Sequence, residues 1–512
     1  MDGVSNNQND CFVNNQLIKT KKYITEHKIP IVTSFAVAFL CYMFAFTNKL
    51  VNHDEVFYLF GKGETVSSGR WGLELTSALF PNISMPWIYG IISIVFITLA
   101  ICLIIDIFKI RNGILSALLS GLVMSFPSLT GIFTYMFTSA SFSLCFLLSV
   151  WAVCLAVSGK TRNIISAVII LIFSVSIYQA YIAVTASLMV VFLLQQMVST
   201  DEDVVKLFKR ALLFVAILGV SLLLYYGITM VVMKFSDLGF NEYASESLSQ
   251  SEGIFYGVLY AYYSFILMFT GKFEILANPF TKGIHIILFV AAVFIFILRV
   301  YKKGDLKRTL FSVVTLGLFP LSISCLYLIV SKHSVHGLMM YSFISVYVFI
   351  IICINSLEKE SLKKSVKNVI PVLFSICIIS NIYTANSSYT QMKLAYENAY
   401  SYYSSVMTSV VNTPGFDQNC KVALVRAHPI KQKYDITKHY DKKDLTGVKS
   451  DLINVYSRER FINYFLGYDV NFATDEEIEA IQQTDEFKEM AIYPYYGSVK
   501  KVNNYIVVRL SE

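Results

Sequence analysis

Apolar residues in this chain gather in long uninterrupted runs separated by short polar connectors. The runs cover residues 29–47, 86–108, 113–129, 138–158, 163–178, 181–198, 211–233, 284–301, 310–330, 338–355 and 369–385. A bilayer core of about 30 Å needs about 20 apolar residues in helical form. The pattern therefore predicts a polytopic α-helical membrane protein with about eleven transmembrane helices. The connectors are unequal in charge. Those at 19–28, 109–111, 160–162, 206–210, 299–308 and 359–367 are crowded with Lys and Arg. The alternate ones hold only Lys49, Lys62, Arg70, Lys234, Lys272, Lys282 and Lys332. A bias of roughly three to one puts the N-terminus in the cytoplasm and the connectors 48–85 and 234–283 outside.

Two regions depart from this pattern. Residues 254–270 are apolar but rich in Tyr, and a span there would push the basic connector 299–308 outside. They read as an interfacial or re-entrant helix on the outer face, after an acidic connector, 235–253, that holds Glu242 and Glu246. Residues 126–138 and 176–181 read as tight outer turns between consecutive helices. Beyond residue 386 the apolar period shortens. A helix is expected to continue over 387–412, short strands over 421–426 and 504–509, and helices over Arg458–Leu466 and Asp475–Gln483. The division that results is a cytoplasmic segment 1–28, a membrane domain 29–385 and a small extracytoplasmic α/β domain 386–512.

Composition agrees with the pattern. Of 512 residues 55% are hydrophobic and 15% charged, well below the charged share of a soluble domain. The net charge of +7 sits in short loops and is no nucleic-acid signature. The 33 Tyr and 39 Phe cluster near run ends, as interfacial belts do. The nine cysteines are scattered without metal-like spacing, and Cys420 stands alone in the tail. About 28 polar residues precede the first run, which reads as an uncleaved signal anchor.

Candidate chemistry lies on the outer connectors. Asp54 and Glu55 follow the first run directly. A carboxylate in a half-dry cleft gains proton affinity and can act as a general base, and Asp54 is the choice, with Glu55 orienting it or binding acceptor. A solvated loop start is the alternative. Arg70 and Trp71 pair a fork donor for phosphate with a flat ring for a sugar face, or else form an interfacial anchor. Tyr178, Gln179 and Tyr181 bring an amide and two phenols to a helix turn, or else glue helices together. Lys332, His333 and His336 could meet a lipid phosphate; His-x-x-His alone is a weak zinc signal. Asp106, inside an apolar run, reads as interfacial. No Gly-rich phosphate loop is present.

Taken together, an outer acid pair, Gly69-Arg70-Trp71, Tyr178-Gln179-Ala180 in a paired hairpin and an outer C-terminal portion resemble the bacterial glucosyltransferase family II over roughly residues 30–385. These are phage- and serotype-conversion-type enzymes that decorate surface polysaccharide. The resemblance implies a C-type glycosyltransferase architecture and a polyprenyl-phosphate-linked glucose flipped to the outer face, with the motif acid falling on Asp54. The expected reaction is inverting transfer to an O-antigen-like polysaccharide, Asp54 taking the acceptor proton while Arg70, with Lys332 or His333, steadies the leaving phosphate. The tail and the connector 235–253, with Glu242 and Glu246, are expected to gather acceptor.

Expected partners are the lipid-linked sugar, the polysaccharide, membrane lipid, a donor-synthesising enzyme and a flippase, in a bacterial inner membrane. No cofactor follows from the residues, and a divalent cation stays open. The rival classes are a transporter or flippase, a polysaccharide polymerase or ligase, and a non-enzymatic scaffold. The first is usually marked by broken helices, internal symmetry or paired intramembrane charges, none of which the sequence displays.

Overall fold

The computed structural model describes residues 18–59, 63–81, 83–249, 252–270, 279–357, 364–417, 419–426 and 453–511. Lys62, Lys272, Lys359 and Lys363 of the charge pattern lie outside them. The helices, in chain order, are α1 (Lys28–Thr47), α2 (His53–Phe57), α3 (Trp71–Thr76), α4 (Pro86–Ile107), α5 (Gly113–Met124) and α6 (Pro127–Phe133). There follow α7 (Met136–Val157), α8 (Thr161–Ile177), α9 (Ile182–Ser199), α10 (Val204–Phe235), α11 (Glu242–Ser249) and α12 (Ile254–Thr270). The last of the membrane domain are α13 (Pro279–Tyr301), α14 (Leu306–Ile323), α15 (Ile344–Ser356) and α16 (Lys364–Val411).

Among the described residues, nine helices are long and apolar enough to cross a membrane, and a bent pair makes up to ten. Every one of the eleven apolar runs is helical, so the difference from eleven lies in two runs. Residues 113–129 do not form one rod: α5 and α6 meet at 44°. The cause is local, because Phe126 precedes Pro127 and is held extended (φ −61°, ψ 134°), out of helical conformation. The other is α8, whose 17 residues span only about 25 Å. The run expected over 310–330 also stops early: α14 ends at Ile323, past an internal Pro320, and gives way to 3₁₀ turns at Cys325–Leu328, Lys332–Ser334 and Gly337–Phe343.

The break at Phe126 overturns two expectations, an unbroken set of helices and a simple turn over 126–138. Backbone carbonyls freed inside a bundle must find donors, and tyrosines supply them. Tyr42 donates to Met124 O (2.7 Å), Tyr341 to Val123 O (2.9 Å) and Tyr389 to Thr130 O (3.0 Å), all three buried. Ser128 on α6 donates in turn to Gly337 O at 2.7 Å. Thus α1, α16 and the turn before α15 all converge on the broken helix, which makes it the centre of the membrane domain.

At the opposite end of α1 from residue 47, Asp106 is paired. His27 Nε2 lies 3.1 Å from its carboxylate and Arg111 lies 4.0 Å away. Nearby, buried Arg308 donates to Met197 O, Thr200 O and Glu202 O, closing the C-terminal end of α9. The Tyr-rich α12 packs along α14 and the 3₁₀ turn that follows it. Gly257 rests on the backbone of Tyr327 and Leu328, Ser264 donates to Ser324 (2.9 Å), and Phe269 meets Phe289 of α13 (5.1 Å).

The last span continues without a break into the tail as α16, 48 residues long. The tail carries a three-stranded sheet in the order β1 (Lys421–Val425), β3 (Tyr505–Arg509), β2 (Val499–Val502), with β1 parallel and β2 antiparallel to β3. Residues 458–460 are helical and run into a π turn over Phe461–Phe465, and α17 (Asp475–Gln482) opens with a capping box between Thr474 and Glu477. The short β2 and a helical turn at Asp485–Lys488 had no counterpart among the elements expected from the sequence.

Candidate functional site

The acid pair is built by one asparagine. Asn52 caps α2 by accepting from the Glu55 amide (3.0 Å), while its own amide donates to Thr134 O just beyond α6 (2.6 Å). This pins α2 to the broken helix. Adjacent side chains on a helix point apart, so the two acids have different fates. Asp54 turns outward with its side chain 37% exposed and Oδ1 3.4 Å from His53 Nε2. Glu55 turns inward and is 2% exposed. Lys49 Nζ stands 3.6 Å from its carboxylate, near enough for ion pairing and too far for a hydrogen bond. Neither Glu55 oxygen has a hydrogen-bond partner among the described residues. Burial raises its pKa, against the lowering influence of Ser84 and Lys49. Desolvation, expected to act on Asp54, therefore acts on its neighbour.

The arginine lies at the far end of the same connector. Residues 64–70 fold back on themselves, with Ser68 N donating to Glu64 O (3.1 Å) and Arg70 N to Thr65 O (2.7 Å). Gly69 takes φ +75°, and a Cβ there would sit 2.7 Å from the Tyr225 hydroxyl and 3.1 Å from Gln179 Nε2. Only glycine fits that conformation and that gap. Arg70 Nε donates to Gln179 Oε1 (3.4 Å), and its guanidinium lies 5.1 Å over the Tyr178 ring. The Gln179 amide donates to Ser68 O (2.9 Å) and to the Tyr225 hydroxyl (3.0 Å), and that hydroxyl donates to Gly69 O (2.9 Å). Trp71 Nε1 donates to Thr229 Oγ1 at 3.2 Å.

Two motifs about 110 residues apart in sequence thus form a single half-buried cluster. Arg70 has no carboxylate partner among the described residues. Its terminal nitrogens are available to an anion. Tyr225, about two-thirds of the way along α10, completes the cluster; its only sequence signal is a Tyr pair inside an apolar run. Tyr181 lies deeper, buried among Phe146, Tyr178 and Tyr341, and contributes packing to the cluster.

Lys332 is not brought to Arg70. It bonds Glu252 (3.0 Å) and the Tyr260 hydroxyl (2.8 Å), contacts that hold the lysine pKa up and the Glu252 pKa down. Between the two cations stands α11. Asn241, just before it, holds Ser67 O, Glu64 and Ser68, and Ser247 near its other end accepts from Ser331 N (2.9 Å). The strut sets its two anchor points, Asn241 and Ser247, about 9 Å apart along the helix. His333 is exposed and His336 half-buried; Glu242 and Glu246 are exposed on the strut itself. Among the described residues no three His, Cys, Asp or Glu side chains gather as a metal site requires.

The acid end of the connector is covered from above by the tail. Val51 and Val56 share an apolar cluster with Tyr403, Val406, Phe461 and Ile462. Phe57 stacks on Tyr456 with centroids 3.9 Å apart, and the Arg460 guanidinium lies over the Phe57 ring, 4.8 Å from its centroid. Nothing in the sequence marks Tyr456 or Arg460.

A sequence model of the family described as Glucosyl transferase GtrII matches residues 43–349, more than half of the chain. The matched stretch includes the acid pair, the Arg70 cluster and the Lys332–His336 turn, and stops before the tail. No curated protein matches the chain.

Proposed function

This chain belongs to the glucosyl transferase GtrII family, and from that premise we propose that it moves glucose from a polyprenyl phosphate to a surface polysaccharide on the outer face of a bacterial inner membrane. The observation that carries this reading is the guanidinium of Arg70, oriented by Gln179 and Tyr178 yet unpaired with any carboxylate among the described residues. A fixed, half-buried guanidinium is a ready partner for a lipid-linked phosphate. An acceptor hydroxyl attacks the anomeric carbon and forms the new C–O bond. The bond from that carbon to the phosphate oxygen breaks, and its electron pair leaves with the phosphate towards Arg70. Asp54, partly exposed and at the same connector, takes the hydroxyl proton. Direct displacement inverts the anomeric configuration.

Lys332, already neutralised by Glu252, is not needed for this step, and Glu55 with Lys49 sets the field behind Asp54. Glu242 and Glu246 remain proposed rim contacts for acceptor. No step requires a metal. The test compares linkage analysis of surface polysaccharide from cells with and without the gene, and with Asp54→Asn. A side-branch glucose should vanish in both the deletion and the variant. An unchanged polysaccharide in the deletion strain would remove the proposal.

One observation favours a second reading, a flippase for lipid-linked sugar: the broken pair α5–α6 at the centre of the bundle. Labelled polyprenyl-phosphate glucose crossing vesicles that contain the protein, with no covalent product, would establish that reading instead.

A further inference from the structure

We propose that the C-terminal domain supplies the acceptor subsite, with Tyr456 as its stacking platform and Arg460 as its hydrogen-bonding edge; this rests on the transfer reading above. Tyr456 has one face laid on Phe57 (3.9 Å, 18° between planes) and is still 42% exposed. It lies close to the general base. His53 is 6.5 Å from the Tyr456 ring, and that same imidazole is 3.4 Å from the Asp54 carboxylate. Tyr58 meets the ring edge-on at 6.5 Å.

The turn that presents Tyr456 is rigid. Arg458 is buried and donates to Leu424 O (2.6 Å) and Arg426 O (2.8 Å) at the end of β1, and the Ser457 amide donates to Asn454 O (3.1 Å). Arg460 is exposed, and beyond its contact with the Phe57 ring it has no ion pair or hydrogen bond among the described residues. An open aromatic face, a phenol and uncommitted guanidinium N–H groups, placed beside carboxylates, suit a ring with apolar C–H faces and a rim of hydroxyls. That is a carbohydrate.

Charge separates this ligand from the donor. A phosphate approaching Tyr456 would meet Asp54 and Glu64, the two carboxylates that act on the Tyr456 phenol, against the one guanidinium of Arg460. A neutral sugar pays no such penalty, and the anion is better placed at Arg70, at the other end of the connector. The tail thus reads the acceptor while the membrane helices hold the donor.

The experiment uses the full-length protein in vesicles. The probes are surface polysaccharide purified from cells lacking the gene and polyprenyl-phosphate glucose. Polysaccharide binding is measured at equilibrium without donor, and glucose transfer separately. Tyr456→Ala should weaken polysaccharide binding at least about tenfold and leave the KM for donor unmoved, while Tyr456→Trp should stay within about threefold of wild type. Arg460→Gln, which keeps the fold, should weaken the same binding and also spare donor KM. Unaltered polysaccharide affinity in Tyr456→Ala and Arg460→Gln, with wild type transferring glucose normally, would overturn the subsite and leave the transfer reading standing. Polysaccharide binding that depends on Tyr456 in a protein that never transfers glucose would do the reverse. A Tyr456→Ala protein that loses thermal stability and donor affinity together would reduce Tyr456 to a docking contact and also overturn the subsite.

Discussion

The two ends of the connector between α1 and α4 are gripped by different parts of the molecule. The arginine end is locked into the membrane helices, where Gln179, Tyr225 and Thr229 bond Arg70 Nε, Gly69 O and the Trp71 indole and leave the terminal guanidinium nitrogens open. The acid end is held by the bond from Asn52 to Thr134 and by an apolar cluster shared with the C-terminal domain, and Glu55 is buried there without a hydrogen-bond partner among the described residues. A hydrogen-bonded network fixes geometry, whereas a buried carboxylate facing one lysine and no hydrogen-bond donor among the described residues stays costly to ionise. On the proposed reading the rigid end would take the donor anion, and the other end the proton chemistry and the acceptor.

The sharpest way to break this division is Asp54→Asn. Removing the base should lower transfer by about 10²–10⁴-fold with protein levels unchanged, measured as labelled glucose entering polysaccharide. Near-normal transfer would take the base away from Asp54. Arg70→Ala should follow, with a loss of about 10²–10³-fold, and Arg70→Lys should recover only part because a point charge cannot hold Gln179 and phosphate together. If Ala and Lys behave alike, the phosphate is met elsewhere.

Glu55 gives a subtler test, read through pH. Its folded pKa is raised above the ordinary 4.5, so the folded protein holds that proton more tightly than the unfolded chain. Stability from this group is full below about pH 4.5 and is lost as pH rises through the raised value. Glu55→Gln should therefore exceed wild type in melting temperature at pH 7.5, by the equivalent of about 1–3 kcal/mol, and the gap should close towards pH 4.5. A gap that widens on acidification would mean that Lys49 outweighs burial. The smallest effect is expected at the arginine end: Gly69→Ala forces a left-handed residue and crowds the Tyr225 hydroxyl. A cost of about 1–2 kcal/mol should raise donor KM several-fold and leave acceptor binding alone; a change in acceptor binding instead would merge the two ends into one site.

Some of this was legible residue by residue. Apolar runs become helices because no other backbone form satisfies its own hydrogen bonds in lipid. Residues 475–483 announced a helix through the acids of its first turn, and 421–426 a strand through its β-branched core. Even the break at Phe126 had a local signal in Pro127, though its depth in the bundle did not. The candidate motifs were visible as residue types, and the resemblance they support agrees with the matched family. Their partners were not.

The sequence alone therefore settled what is local and what is forced by solvent: helices in the apolar runs, polar residues at their ends, and an acid pair and an arginine on one connector. Tertiary structure decided which acid is dry, because the bond from Asn52 to Thr134 turns α2 so that Glu55 and not Asp54 faces inward. It also joined Arg70 to Gln179 and set Tyr456 against Phe57. Contacts across more than a hundred residues depend on how whole helices pack, and no period or spacing in one stretch of chain encodes the face that a distant stretch will meet.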